Sequence, residues 1–353
     1  MDGDLWTPTC SRPPDLVRPA RIDPHGLTGP TRGQTQRGRW RPSSVGWHVP
    51  SRVDPTVVEQ RILEQAMRVR RDGAVTAWAS LRWRGAAYFD GTADGAGAQL
   101  PVPLLRSSGA RRLDDGLARI SRSQLASTER EFVSGVWCTP ATRAIFDEVH
   151  RLRSLRPAVA AICMTVAAGI TTLPELNDYA AALPAWEGIP RFRESLSLGN
   201  ECFRSGPEVY LYLRWLLDAA LPRPLVNPPL FDLTGRLLGF PDLLDVEAGV
   251  VGEYDGAAHR DRARHRRDVA REDRFRGAGL EYFTVVAGDL ADEHLVVGRM
   301  RAARGRARFA PPAERLWTVT PPPWWRPPPW LPARYSARYS ARYSAAGITH
   351  DVA

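Results

Sequence analysis

The stretch GFPDLLDVEAGVVGEYDGAAH, from Gly239 to His259, decides the fold of the C-terminal part of this chain. It predicts two short apolar strands, 240–244 and 250–254, joined by a turn that Asp245 and Gly249 bracket. Because side chains on a strand alternate between its two faces, the acidic residues of this stretch fall on defined faces.

Three carboxylates are expected to meet here. Glu253 and Asp255 point to one side of the second strand, and Asp242 joins them if the two strands are neighbours. Such a cluster beside His259 is costly unless a cation or shared protons compensate. Oxygen-rich groups of this kind suit Mg²⁺ or Mn²⁺, so the pattern predicts a metal site.

Each of these residues also has a structural interpretation. Asp242 follows a proline and is compatible with the start of a turn, and Asp255-Gly256 is a common turn pair. His259 is placed to cap a helix or to pair with Asp255. Glu253 lies in an apolar run, where an unpaired charge is unfavourable, and is therefore the strongest functional candidate.

Composition narrows the classes of function. The 353 residues carry a net charge of +9, and every basic residue is an arginine, which favours contact with phosphate backbones. The four cysteines are scattered, so zinc and disulfide interpretations are weak. No apolar run reaches the roughly 20 residues of a membrane span, and no signal pattern opens the chain, so we expect a cytoplasmic protein without membrane contact.

Shifts in composition predict five regions. The termini are rich in proline, glycine and arginine, and the end repeats Ala-Arg-Tyr-Ser three times, which is typical of disorder. The expected regions are a disordered basic leader (1–45), a small α+β region (46–138), a helical region (139–204), an α/β domain (205–308) and a disordered tail (309–353).

Hydrophobic periodicity gives the expected elements of the α/β domain. They are helix 207–221, strands 225–231, 236–244 and 250–254, helix 261–278, strand 281–286 and helix 290–306. In front of this domain the pattern predicts a small hairpin over 39–49, helices 57–70 and 74–88, and strands 99–105, 117–120 and 132–137. Four helices then follow at 139–152, 157–168, 172–183 and 190–199.

Residues 205–300 resemble the PD-(D/E)xK nuclease superfamily, in particular its very-short-patch-repair-endonuclease-like branch. The resemblance rests on Pro241-Asp242, the segment 252–256, His259 and the helical segment 267–271. It implies a restriction-endonuclease-like αβββαβ fold, a mixed sheet flanked by helices. It also implies a metal-dependent DNA endonuclease that uses Mg²⁺ or Mn²⁺.

The same resemblance implies roles for individual residues. Asp242 is the central metal ligand, Glu253 the second acid, and Glu208 an acid from the preceding helix. Asp255 stands where the superfamily pattern has lysine, and His259 is placed to orient or deprotonate the attacking water. Arginines of the helix that follows are expected to contact DNA phosphates. They include Arg264, Arg267 and Arg271.

Two of these roles have alternatives in local helix chemistry. Glu208 follows Ser205 by three residues, which is the spacing of a capping box. The pair Arg264 and Asp268 has the i,i+4 spacing of a solvated helix face.

The segment 26–152 is similar, more distantly, to AbiEi-type antitoxins and transcription regulators. The similarity is carried by segments 40–50, 73–85 and 139–147. That family implies DNA binding and a cognate toxin as a partner. The second hypothesis is therefore a non-catalytic DNA-binding regulator that carries a degenerate nuclease fold.

Overall fold

The computed structural model describes residues 7–69, 73–93, 97–106, 113–122, 125, 129–183, 185–256 and 262–327. For residues 113, 122 and 262–268 it describes the backbone alone. The chain is a mixed α/β protein that divides into two compact units, Met1–Arg204 and Ser205–Ala353. His259 lies outside the described residues.

The N-terminal unit combines a helical layer with a six-stranded sheet. Its helices are α1 (Arg32–Gln36), α2 (Val58–Ala66), α3 (Ala77–Trp83), α4 (Ala141–Leu152), α5 (Leu155–Ala167), α6 (Leu173–Ala182) and α7 (Ile189–Leu198). Its strands are β1 (Trp40–Ser44), β2 (Trp47–Pro50), β3 (Gly73–Val75), β4 (Val102–Arg106), β5 (Leu113–Asp114), β6 (Ala118–Arg122), β7 (Glu131–Val133) and β8 (Val136–Cys138).

The larger sheet has the order β5-β6-β4-β3-β8-β7, and the pair β1-β2 forms a separate hairpin. The expected hairpin near residues 39–49 is confirmed as this β1-β2 pair. Aromatic side chains such as Trp78, Phe146 and Phe192 fill a core between the helices and the sheet. The helix expected over 172–183 is α6, and its start is a capping box in which Thr172 and Glu175 exchange hydrogen bonds with the backbone.

The described part of the leader differs from the predicted disorder. Helix α1 and strand β1 lie within it, and Ala20 pairs with the backbone of His48. Asp23 closes a turn by accepting hydrogen bonds from the backbone N–H groups of three following residues. Local polar contacts of this kind hold a segment that lacks hydrophobic periodicity.

The helix predicted over 74–88 is shorter than expected. Its first residues form β3, which pairs antiparallel with β4, and α3 spans only seven residues. The β-branched Val75 and the neighbouring strand favour extended backbone at that point. The strand expected over 132–137 is likewise two strands, because Ser134 and Gly135 adopt positive φ and form a tight turn.

The C-terminal unit contains two small sheets. Its helices are α8 (Gly206–Leu213), which continues as a π-helical turn (Arg214–Asp218), α9 (Arg262–Gly277) and α10 (Glu293–Arg306). Its strands are β9 (Leu225–Val226), β10 (Leu230–Asp232), β11 (Leu237–Gly239), β12 (Leu243–Asp245), β13 (Val250–Asp255), β14 (Glu281–Val286) and β15 (Trp317–Thr318).

The four-stranded sheet has the order β14-β13-β12-β9. Strand β12 pairs antiparallel with both β9 and β13, whereas β14 runs parallel to β13. Helix α9 connects the two parallel strands, as a crossover connection requires. The predicted strand over 281–286 is confirmed with these bounds.

Two predicted strands are each divided between the two sheets. The strand expected over 225–231 becomes β9 and β10, and the one over 236–244 becomes β11 and β12. Pro228-Pro229 and Pro241 interrupt them, because proline has no N–H to donate to a ladder. Strands β11, β10 and β15 form the second sheet in that order.

Part of the tail is also ordered. Strand β15 pairs antiparallel with β10, and its Trp317 is buried in the same apolar cluster as Leu230 and Phe275. The predicted disordered tail therefore does not begin at residue 309. Proline density excluded long regular elements here, yet one two-residue strand and a buried tryptophan attach the segment to the sheet.

Candidate functional site

A row of polar residues crosses the four-stranded sheet at one level. Glu253 pairs with Thr284 in the parallel ladder. Continuing the antiparallel registers by one residue places Asp242 opposite Glu253 and Asn227 opposite Asp242. The backbone N–H of Asn227 donates to the carbonyl oxygen of Asp242 at 3.1 Å, as this register requires.

Asp242 lies directly before β12 and is 9% exposed. Its Oδ2 accepts a hydrogen bond of 2.8 Å from the backbone N–H of Tyr254. This contact fixes one carboxylate oxygen against the neighbouring strand. The sequence allowed two interpretations of Asp242, the start of a turn or a place inside a strand. The structure instead places Asp242 at the start of β12.

Glu208 reaches the row from helix α8. Its carboxylate is buried, and its Oε2 accepts a 2.7 Å hydrogen bond from the side-chain amide of Asn227. Its Oε1 accepts from the Ser205 hydroxyl at 2.9 Å, whereas Ser205 makes no side-chain cap of the helix. The structure therefore shows a Ser-to-Glu contact in place of the full capping box.

Glu253 is buried and held by two donors. The Arg271 guanidinium forms an ion pair with its Oε2 at 2.7 Å, and the Tyr282 hydroxyl donates to the same oxygen at 2.6 Å. Burial, followed by the charge of Glu253, raises the pKa of the Tyr282 phenol, which therefore remains a proton donor. The Arg271 side chain is one-third exposed.

Helix α9 places further positive charge beside this pair. Arg274 donates to the Leu238 carbonyl at 3.0 Å. Burial, and then the neighbouring charges of Arg236 and Arg271, lower the pKa of Arg274. Arg271, which pairs with Glu253, thus belongs to a group of three interacting arginines, the arginine cluster of Arg236, Arg271 and Arg274.

The remaining predicted residues are less well placed by the structure. Asp255 ends β13, where it shares a strand face with Glu253 and is partly exposed. Burial and the charge of Asp255 raise the pKa of Tyr254. The backbone of Arg264 and Arg267 belongs to α9, but their side chains, like His259 as a whole, lie outside what the structure describes.

The structure therefore brings Asp242, Glu253 and, through Asn227, Glu208 to one region. Carboxylate oxygens are the donors that hard divalent cations take, so the chemistry of this set fits Mg²⁺ or Mn²⁺. Within the described ranges, however, no three His, Cys, Asp or Glu side chains are grouped so as to hold a metal ion. Arg271 instead provides the positive charge next to Glu253.

Sequence reasoning missed Asn227 and Tyr282. Asn227 directly follows β9 and adopts a left-handed φ of +49°, which asparagine tolerates better than most residues. The Asn-Pro-Pro sequence after an apolar strand is a detectable turn signal. Tyr282 resembles any core aromatic residue in its strand, and nothing in the sequence distinguished its hydroxyl as a partner of Glu253.

No protein-family model, curated protein or solved structure matches this chain. Over the part of the chain that the structure covers, no helix has both the length and the apolar content needed to cross a membrane. Function has to be argued from the site itself.

Proposed function

We propose that the C-terminal unit is a restriction-endonuclease-like domain of the PD-(D/E)xK type and that the protein is a metal-dependent DNA endonuclease of the very-short-patch-repair-like type. The observation that carries the proposal is the pair Asp242 and Glu253, two buried carboxylates opposite each other on adjacent strands. They lie in a sheet whose elements α8, β9, β12, β13, α9 and β14 follow the order αβββαβ. The hairpin β10-β11 is an insertion in this order.

Phosphodiester hydrolysis needs an activated water and compensation of the charge that develops on the phosphate. Asp242, Glu253 and Glu208 offer the oxygen donors that would hold Mg²⁺ or Mn²⁺. A bound divalent ion supplies both a nucleophilic water and charge neutralisation. The chain itself orients these acids through the Asn227 amide and the backbone N–H of Tyr254.

The arginine cluster supports DNA as the substrate. Burial lowers the pKa of Arg274 most, and the charges of Arg236 and Arg271 add to this shift by repulsion. A phosphate between them relieves this repulsion and accepts charge-assisted hydrogen bonds. These arginines therefore favour an anionic substrate at the edge where Asp242 and Glu253 lie.

Arg271 supplies the positive charge that the missing lysine would bring, but it does not take over proton transfer. Arg271 places a positive group at Glu253, which the family pattern assigns to a lysine near the second acid. A guanidinium stays protonated in proteins, so Arg271 stabilises negative charge without acting as a base. Removal of a proton from water falls to another group, and His259 remains the predicted candidate.

A plasmid-nicking assay tests this proposal. Purified protein with Mn²⁺ or Mg²⁺ should nick supercoiled DNA, and both Asp242→Asn and Glu253→Gln should abolish nicking. Glu281→Gln is the matched control, because Glu281 belongs to β14 but pairs with Arg306 away from the polar row. Equal nicking by the wild type and the Glu253→Gln variant would show that Glu253 is not part of the catalytic site.

One observation favours a second function. Because Arg271 and Tyr282 already satisfy the charge of Glu253, the same fold is suited to a non-catalytic DNA-binding regulator with a cognate toxin as partner. Calorimetry separates the two functions. Absence of Mn²⁺ binding together with retained DNA binding would favour the regulator, whereas Mn²⁺ binding that Asp242→Asn removes would favour the enzyme.

A further inference from the structure

Two large aromatic rings are exposed on one face of the β7-β8 hairpin in the N-terminal unit. Phe132 is 59% exposed and Trp137 is 40% exposed. They are direct cross-strand partners, with ring centroids 5.1 Å apart. Contiguous exposed apolar surface with polar residues around it is a feature of interaction sites.

The local fold leaves these rings no place in the core. Val136 and Cys138 alternate with Trp137 along β8, and both are buried on the opposite face. Among the described residues, strand β7 is the last strand of the six-stranded sheet, so no strand of this set lies beyond Phe132. Strand β8 therefore buries Val136 and Cys138 and presents Trp137, beside Phe132 of β7, to solvent.

Arginines surround the hairpin. The Arg130 guanidinium lies 4.8 Å from the centre of the Trp137 ring. Arg12 donates to the Ser134 hydroxyl at the turn, and Arg18 approaches the glycine that follows it. Arg84 forms a 2.6 Å ion pair with Glu131, which alternates with Phe132 and therefore lies on the other face of β7. Arg130 thus places a guanidinium beside the aromatic rings, and Arg12 and Arg18 lie at the turn of the hairpin.

We propose that this surface, the β7-β8 platform made of Arg130, Phe132 and Trp137, binds single-stranded nucleic acid. Unpaired bases stack on aromatic rings and on guanidinium planes, and arginines around such rings contact the backbone phosphates. In a duplex the base faces are covered by neighbouring bases, so the exposed rings have no stacking partner there. In a symmetric contact between two copies of this surface the same arginines would meet and repel, whereas nucleic-acid phosphates attract them.

This site is separate from the proposed nuclease centre. The platform belongs to the N-terminal unit, whereas Asp242 and Glu253 belong to the C-terminal unit. Binding to the platform requires no metal ion and no hydrolysis. An experiment in EDTA therefore tests the platform independently of whether the C-terminal unit cleaves DNA.

Fluorescence anisotropy of the full chain with a labelled 20-nucleotide oligothymidine, in EDTA, measures the platform directly. The wild type should bind this strand more tightly than a duplex of equal length at the same salt concentration. The double variant Phe132→Ala/Trp137→Ala should bind it about tenfold or more weakly, since each stacked base contributes substantially. Arg130→Gln should weaken binding and reduce its salt dependence.

Trp324→Ala is the matched control, because Trp324 is 64% exposed but lies in the C-terminal unit. It should leave binding unchanged. Phe132 and Trp137 are both exposed, so their replacement should preserve the fold, which circular dichroism verifies. Unchanged affinity in the double variant, equal loss in Trp324→Ala, or a preference for duplex would overturn the proposal. Conversion of a dimer to a monomer by the double variant, without loss of binding, would identify the surface as a self-association interface instead.

Discussion

Glu253 illustrates what a single buried charge demands of its surroundings. A carboxylate that is 5% exposed is unfavourable unless cations or hydrogen-bond donors compensate it. Arg271 and Tyr282 supply a guanidinium and a hydroxyl to the same oxygen. The site is therefore a compensated carboxylate, in contrast to the open cluster of acids that the spacing of the residues predicts.

Residue patterns alone placed the acids but not their partners. Glu253 could be predicted as buried because it lies within the apolar run of β13. Its partner Arg271 lies 18 positions later in a helix full of arginines. Which arginine faces the sheet depends on the rotation and packing of α9, and these follow from buried contacts such as Phe275 on Tyr282, not from charge spacing.

Tyr282→Phe should destabilise the C-terminal unit by about 1.5 to 3 kcal/mol, the usual contribution of a hydrogen bond to a charged group. The substitution removes only the hydroxyl that donates to Glu253 at 2.6 Å. Urea denaturation followed by circular dichroism measures the change. Tyr254→Phe is the control, since Tyr254 donates to Asp242 through its backbone N–H, which the substitution keeps. A loss below about 0.5 kcal/mol for Tyr282→Phe would contradict this account of Glu253.

Element boundaries follow the chemistry of caps and prolines. The capping box of α6 and strand β14 could be predicted because their signals are local. Strands β9 to β12 could not, because each short apolar run is divided between two sheets. Proline marks where a run must stop, but the choice of partner strand depends on contacts that are distant in sequence.

At the level of elements, the α6 cap gives a pH-dependent prediction. Hydrogen bonds from the Thr171 hydroxyl and the Thr172 N–H lower the pKa of the Glu175 carboxyl. Its stabilising effect is therefore fully present above its unfolded pKa, about 4.3, and is lost as pH falls through the lower folded value. Thr172→Ala should cost about 1 kcal/mol at neutral pH.

The charge itself is tested by Glu175→Gln, which should destabilise the protein at pH 7 and show a shrinking effect towards pH 3. Chemical denaturation at a series of pH values measures this difference. Glu194→Gln, at an exposed position on α7, is the matched control for the loss of a surface carboxylate. A constant effect of Glu175→Gln across the series would show that its charge does not stabilise the cap.

At the scale of the whole molecule, the C-terminal unit extends beyond the α/β domain expected over 205–308. Its beginning at Ser205 follows a change from helical periodicity to alternating elements, which the sequence displays. Its end is not displayed in this way, because Trp317 and Val319 stand in a proline-rich segment. A two-residue strand is too short to show periodicity. Its burial depends on β10 and on the apolar cluster around Leu230, which are distant in sequence.

Two truncated chains test whether the C-terminal unit ends at residue 308 or continues through β15. A chain that ends after Arg308 loses β15, Trp317 and Val319, and uncovers Leu230 and its neighbours in the apolar cluster. Since removal of a buried tryptophan side chain typically costs about 3 to 5 kcal/mol, the C-terminal unit should be strongly destabilised. A chain that ends after Pro327 keeps these contacts and should remain as stable as the full chain.

Hydrogen exchange of the backbone amides of β13 and β14, measured by mass spectrometry, reports on this unit alone. Exchange should be much faster after truncation at residue 308 and unchanged after truncation at residue 327. In the chain that ends after Pro327, Trp317→Ala should reproduce most of the loss of amide protection, because this side chain is only 6% exposed. Equal protection in both truncated chains would mean that β15 is dispensable and that the domain ends at residue 308, where the composition changes.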